Sequence, residues 1–245
     1  VKQNNSTVGQ NLVVLGNEVI VRAAEQVMGE VAVLETLAKT TLLVEAVTAA
    51  NVERRAWTEG EIASMDQDWI DEKSSMDDIE QEILSSESTK YLVAFLEDHP
   101  QQVEIFVTDV KGLNIAMTDR TSDFRQSDEG WWESAYAGGS GNSYVAPVEF
   151  DESSNAYAMN IGVPIYDQRS NKVVGVLRGT LDVSSLIQTL GTVRVGDTGN
   201  ATLIDGDGNI LYNENAALIM QPAPAEIMAL FESGENGWIK GSALN

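Results

Sequence analysis

The sequence contains no cysteine and a single histidine, His99. The first absence removes disulfides, zinc–thiolate sites, iron–sulfur clusters and thiol nucleophiles together. The second removes metal centres built from several imidazoles and leaves one residue to serve as a histidine base. Basic side chains are scarce too: 15 Lys and Arg stand against 38 Asp and Glu, a formal charge of −23. A surface so negative repels phosphate backbones and anionic headgroups, so neither nucleic acid nor an anionic membrane is an expected partner. No apolar run reaches the roughly 18 residues of a membrane span, and no basic leader with a cleavage site opens the chain. The chain starts at Val1 within a helical pattern and reads as a segment of something longer.

The 245 residues are 43% hydrophobic, enough to build a core despite the charge. Catalytic signatures are missing. No Ser sits in a GxSxG elbow and no GxxxxGK[ST] loop occurs. With so many acids, a pair of carboxylates carries no information. His99 precedes Pro100 at a helix end, where it can cap carbonyls rather than catalyse. The chain reads as a non-enzyme, and nothing in it calls for a metal or cofactor.

Proline is absent from residues 1–99. Apolar residues recur with helical spacing from Leu12 through Val19, Val27, Leu34 and Leu42 to Val47, which predicts one helix of roughly 40 residues. Such a helix suits a stalk, a dimer seam or a strut packed on its own sheet. A break near 51–60 precedes a second helical stretch over 61–97, interrupted around 73–76 and ended by His99–Pro100.

Beyond Pro100 the pattern turns to strands. QVEIFVT (102–108) and LNIAMT (113–118) predict a hairpin, and a short helix follows at 130–137. Strands are predicted at 143–148, 156–164 and 172–182, then a helix at 183–190. The hairpin VTDVKGLNIAMTD (107–119) echoes in LIDGDGNILYNEN (203–215), with Asp109 matching Asp205 and Gly112 matching Gly208. The echo argues for two related modules. The second would hold that hairpin, a helix near 223–233 and a strand near 237–241, too little chain for a whole sheet. Asp205, Asp207 and Asn209 resemble the start of a calcium loop, but the glycine comes too early and the spacing favours a plain turn.

One stretch is rich in binding chemistry. Trp131, Trp132, Tyr136, Tyr144 and Tyr157 lie within 27 residues, just after Phe124, and Asp123, Asp128, Glu129 and Asp182 supply acceptors. Polar-tipped rings beside carboxylates suit an ammonium group. The plain alternative is that half of the rings are core and the acids are solvated.

The long helix, the VTDxxG hairpin, DEGWWESAYAGG, IGVPIYDQ and VVGVLRGTLDVSSL follow the order of a double Cache (PAS-like) sensor domain, which this chain resembles over essentially its whole length. The resemblance implies an α+β fold: a long N-terminal helix and two PAS-like (Cache) modules with central antiparallel sheets, the second incomplete. It divides the chain into a stalk helix (1–51), a membrane-distal ligand-binding module (52–190) and a truncated membrane-proximal module (191–245). It further implies the extracytoplasmic part of a membrane-anchored sensor histidine kinase or chemoreceptor, with a small-molecule ligand and a dimer seam along the helix. In the family's amino-acid binders an aromatic, an Arg, a Trp and a Tyr precede a distal Asp. Phe124, Glu129, Trp131, Trp132 and Asp182 stand at those positions, so Trp131 is expected to brace the pocket while Phe124, Trp132, Tyr144 and Tyr157 line it. Glu129 replaces the Arg that would fork a carboxylate. The exchange favours a cationic amine or an uncharged polar ligand over an ordinary amino acid. The competing reading is a ligand-free structural or dimerisation module.

Overall fold

The computed structural model describes residues 2–151, 156–184, 186–187 and 201–232. The chain forms two compact units, one of Gly29–Asp182 and one of Val1–Met28 with Val183–Asn245.

Helix α1 runs Lys2–Leu37 and α2 Thr41–Glu53. The single helix expected from the apolar periodicity is therefore broken. At Ala38–Thr40 the Lys39 and Thr40 amides reach back only three residues, to Thr36 and Leu37, and Thr40 turns extended. Adjacent β-branched threonines are weak helix formers, and the break lets buried Leu37, Ala38 and Leu43 keep facing the core. A 3-10 turn at Arg54–Ala56 ends α2. Thr58 and Glu61 form a reciprocal capping box that starts α3 (Glu59–Ile70). Helices α4 (Asp77–Ser85) and α5 (Glu87–Asp98) follow. Ser86 caps α5 through the Thr89 amide, a second break in the stretch read from sequence as 61–97.

The main sheet is antiparallel with the order β2-β1-β5-β4-β3. Its strands are β1 (Gln102–Asp109), β2 (Asn114–Met117), β3 (Tyr144–Asp151), β4 (Ala156–Asp167) and β5 (Lys172–Asp182). Helix α6 (Gly130–Tyr136) lies between β2 and β3 in sequence. Helix α2 and the end of α1 cover one face, where a side chain on Gly175 or Gly179 would strike Val47 or Leu34. Helix α6 covers the other face, and a Cβ on Gly162 would sit 2.8 Å from that of Ala135.

In the smaller unit, β6 (Leu203–Ile204) pairs with β7 (Ile210–Tyr212), and α7 spans Ala225–Glu232. The two echoed turns share one design. Asp109 Oδ1 accepts from the amides of Lys111 and Leu113 (2.8 and 3.0 Å), and Asp205 Oδ1 from those of Asp207 and Asn209 (2.9 and 2.8 Å). Gly112 and Gly208 take φ of 78° and 89°. In DGDGN the first Asp is thus the cap of a hairpin turn. The strand expected at 237–241 lies outside the described residues, as does half of the helix expected at 183–190.

Candidate functional site

Strand alternation builds the floor of the candidate site. The register pairs Phe106 with Arg178, Thr108 with Val176, Asn160 with Thr180, Gly162 with Arg178 and Ala158 with Asp182, so these residues share the face that α6 covers. The absent side chain of Gly162 lets α6 rest on that floor. Trp132 is pinned: its Nε1 donates to Thr108 Oγ1 at 2.9 Å, Thr108 Oγ1 donates on to the Val176 carbonyl, and the indole stacks on Tyr136 with centroids 4.6 Å apart. Trp131 meets Phe106 edge to face at 5.6 Å, a geometry that adds about 0.5–1.5 kcal/mol beyond burial.

The loop leading into α6 is held from outside. Asp66 on α3 accepts the Phe124 and Arg125 amides at 2.9 and 2.8 Å. Trp69 Nε1 donates to the Thr121 carbonyl at 2.8 Å, and the Arg120 guanidinium lies 4.6 Å from the Trp69 ring centroid while pairing with Glu80. Burial raises the Asp66 carboxyl, the two amides oppose that, and Asp123 and Asp128 raise it further.

Arg178 is the cation at the centre of this floor. Its Cζ lies 5.1 Å from the Phe106 ring centroid and 5.5 Å from that of Trp131. Asn160 Oδ1 accepts from its Nε and Nη2 at 3.2 and 2.7 Å, and Nη1 stands 3.9 Å from Glu104 Oε2. Burial draws the guanidinium down, while Glu104, Glu129, Asp123 and Glu149 push it up. Glu129 responds in the opposite sense: burial first, then Asp123 and Asp128, raise its carboxyl, Arg178 lowers it, and Glu149 raises it again. Four carboxylates thus act electrostatically on one guanidinium, with Glu104 in ion-pair range, and their field favours a further positive charge.

The sequence-predicted residues separate into groups. Glu129 and Trp131 belong to the arrangement around Arg178, whereas half-buried Asp182 shares only its face of the sheet, four residues further along β5. Tyr144 pairs with Gly162 and packs on the aromatic cluster beneath α6. Trp132 braces that cluster through Thr108. Phe124 is fully buried against Trp69, 5.5 Å away, on the α3 side. Tyr157 has the opposite parity to Ala158 and Asn160, which assigns it the other face of the sheet. Of the two tryptophans, Trp131 lies against the cation and Trp132 bonds Thr108. Arg178, Glu104 and Asn160 escaped the reading of the sequence. The signal was there in VVGVLRGTLD, where a lone cation shares the parity of Asp182. Among the described residues no cluster of metal-ligating side chains occurs.

A five-stranded antiparallel sheet in the order 2-1-5-4-3, with helices on both faces and a short aromatic helix laid over one of them, defines a PAS-like sensor module. The chain belongs to the Cache domain family, whose model matches residues 30–242. A Cache domain is a non-catalytic sensor module. Among solved structures, the sensor domain of the Vibrio cholerae histidine kinase DctB is 16% identical and superposes with a TM-score of 0.51, covering 91% of this chain and 76% of that one. The ligand-binding domain of the Pseudomonas fluorescens chemoreceptor CtaA with L-serine is 19% identical, covering 87% and 77%, with a TM-score of 0.44. The Campylobacter jejuni chemoreceptor Tlp3 with 4-methylisoleucine is 13% identical, covering 81% of each, with a TM-score of 0.47. No curated protein matches the sequence.

Proposed function

We propose that this chain is the extracytoplasmic ligand-sensing domain of a transmembrane signal transducer, a sensor histidine kinase or a methyl-accepting chemoreceptor. Its 52–190 portion is the membrane-distal module and binds a small molecule, and its 191–245 portion is a membrane-proximal module. The family supports the sensor class, and the fold likeness to a histidine-kinase sensor domain supports the output. The observation that carries the reading is the α6 lid of Trp131 over a charged floor. Shifted charged groups beside aromatic rings on an accessible face are candidates for a binding site. Glu129, Trp131, Tyr144 and Asp182 contact the ligand, while Phe124 and Trp132 support them. The excess of carboxylates selects a cationic amine or an uncharged polar ligand. Helix α1 contributes residues to both compact units and carries the bias between two arrangements of the distal module.

The test is a thermal-shift screen of amines, amino acids, organic acids and sugars, followed by Asp182→Ala. Amines raise the melting temperature of the parent chain, and the variant loses that shift. A variant that shifts as far as the parent refutes the site.

A second reading has its own support. Leu12, Val14, Ile20, Val21 and Met28 on α1 expose between 37% and 61% of their surface, as a dimer or partner seam would. A ligand-free dimerisation module predicts a tight dimer in analytical ultracentrifugation and no shift across the whole screen.

A further inference from the structure

We propose that Arg178 is a specificity-determining residue of this site: it requires the ligand to carry a hydrogen-bond acceptor, a carboxylate or carbonyl, together with a net positive charge. The inference rests on the amine-sensing reading above and narrows it.

The argument begins with where the guanidinium is and what already holds it. Arg178 projects from β5, from the floor of the sheet, and not from the loop that carries Glu129. Phe106 and Trp131 flank it, and Asn160 takes Nε and Nη2 through one oxygen. These contacts fix the plane of the fork. At 3.9 Å the Nη1–Glu104 approach is an ion-pair distance too long for a hydrogen bond. The side chain keeps 20% of its surface exposed, so the fixed cation remains within reach of a molecule entering over the floor.

A cation in that position has two effects. It already lies against Phe106 and Trp131, so a simple amine cannot take the same place beside these rings without displacing it. It also offers fork donors to any acceptor brought beside it, and an Arg-to-carboxylate bond is among the stronger polar contacts available. Glu104 stands 3.9 Å from Arg178 and Glu149 pairs with Ala158 on the same face of the sheet, and with Asp123 and Glu129 on the loop the carboxylates outnumber Arg178. A ligand with one positive and one negative group would satisfy the fork and leave the acids in excess. A ligand with two ammonium groups and one acceptor meets both demands, its acceptor on Arg178 and its ammonium groups toward the acidic loop and strand ends.

Three probes of one chain length separate these demands: L-lysine, with two ammonium groups and a carboxylate; cadaverine, which lacks the carboxylate; and L-norleucine, which lacks the side-chain ammonium. Affinities are measured by calorimetry on the parent chain, Arg178→Gln and Arg178→Lys. In the parent, lysine binds about tenfold or more tighter than cadaverine, as expected for a charge-assisted fork, and norleucine is the weakest. In Arg178→Gln the order of the first two reverses, because the acceptor loses its partner and the site gains net negative charge. Arg178→Lys restores the parent order in part. A merely structural arginine would weaken all probes alike and leave their order intact. Cadaverine binding as tightly as lysine to the parent, with the same order in Arg178→Gln, overturns the role of Arg178 and leaves the amine reading standing. Norleucine binding the tightest, or no binding by any probe, overturns both.

Discussion

A single oxygen, Asn160 Oδ1 on β4, accepts from both Nε and Nη2 of Arg178 on the neighbouring strand. It also accepts from Thr180 Oγ1 at 3.1 Å. Three donors converge on one amide oxygen, so the orientation of the guanidinium against Phe106 and Trp131 depends on that side chain.

Asn160→Leu keeps the volume and removes the acceptor. A half-buried charged group then loses its partner, which costs about 1–3 kcal/mol. Urea unfolding is expected to show a lower midpoint with an unchanged slope. Asn160→Asp, which keeps two acceptor oxygens, is expected to retain most of the stability. An Asn160→Leu variant as stable as the parent would show that the rings and Glu104 alone hold Arg178.

How much of this was legible beforehand differs between fold and site. The hairpin at 102–118, the strand Lys172–Asp182 and the helix at Gly130 could be read because Asp109, Gly112 and the glycines after Tyr136 punctuate clean apolar runs. The break at Ala38–Thr40 could not, because the apolar period continues through it and only tertiary packing of Leu37 and Leu43 decides where the axis turns. The site was legible in its acids and rings and illegible in its centre. Family position points to the loop residue Glu129, whereas the cation stands at Arg178, which only the register with Phe106 and Gly162 brings beside Trp131. Tyr157 shows the same limit: proximity in sequence to other aromatics says nothing of which face of a strand it occupies.

Glu129 predicts a pH dependence. Its carboxyl titrates above the ordinary range because burial and the neighbouring Asp123, Asp128 and Glu149 outweigh Arg178. The folded chain therefore holds more protons than the unfolded one between the ordinary and the raised value, and stability from this group falls as pH rises through that window, starting at about 4.3. Glu129→Gln is expected to raise the melting temperature slightly at pH 7 and to have no effect well below the ordinary value. The effect is small because the side chain is only partly withdrawn from water, and solvent screens its charge. An ammonium ligand favours the ionised carboxylate, so the thermal shift produced by cadaverine is expected to grow across the same window in the parent and to lose that growth in the variant.

The two echoed turns predict unequal costs. Asp109 caps its turn and also pairs with Arg54 at 3.3 Å, the two side chains being 1% and 11% exposed. Asp205 caps an equivalent turn beside Asn209, whose amide nitrogen donates to it at 3.0 Å. Asp109→Ala leaves the Arg54 charge in the interior with only the Leu113 and Asn114 carbonyls as acceptors, a loss of up to about 3–5 kcal/mol. Asp205→Ala removes hydrogen bonds of ordinary strength, about 1 kcal/mol or a little more. Chemical denaturation of the two variants checks the difference. Equal losses would mean that the Arg54 pair contributes nothing beyond the turn.

The Trp132–Thr108 bond predicts a coupling that single variants cannot reveal. Trp132→Phe keeps most of the ring and loses the Nε1 donor, while Thr108→Val keeps the shape and loses the acceptor. Thr108 Oγ1 also donates to the Val176 carbonyl at 3.1 Å, so Thr108→Val carries a second loss that is independent of the indole. The double variant separates the two. If the hydrogen bond ties α6 to the sheet, the cycle closes with a coupling of about 0.5–1.5 kcal/mol, within the range for a buried pair. Amine binding to Trp132→Phe is expected to stay within a few-fold of the parent, because the indole faces Thr108 and Tyr136. Trp131→Ala is expected to reduce it much further, since that ring flanks Arg178. A Trp132→Phe variant that loses binding as fully as Trp131→Ala would return Trp132 to the lining of the site.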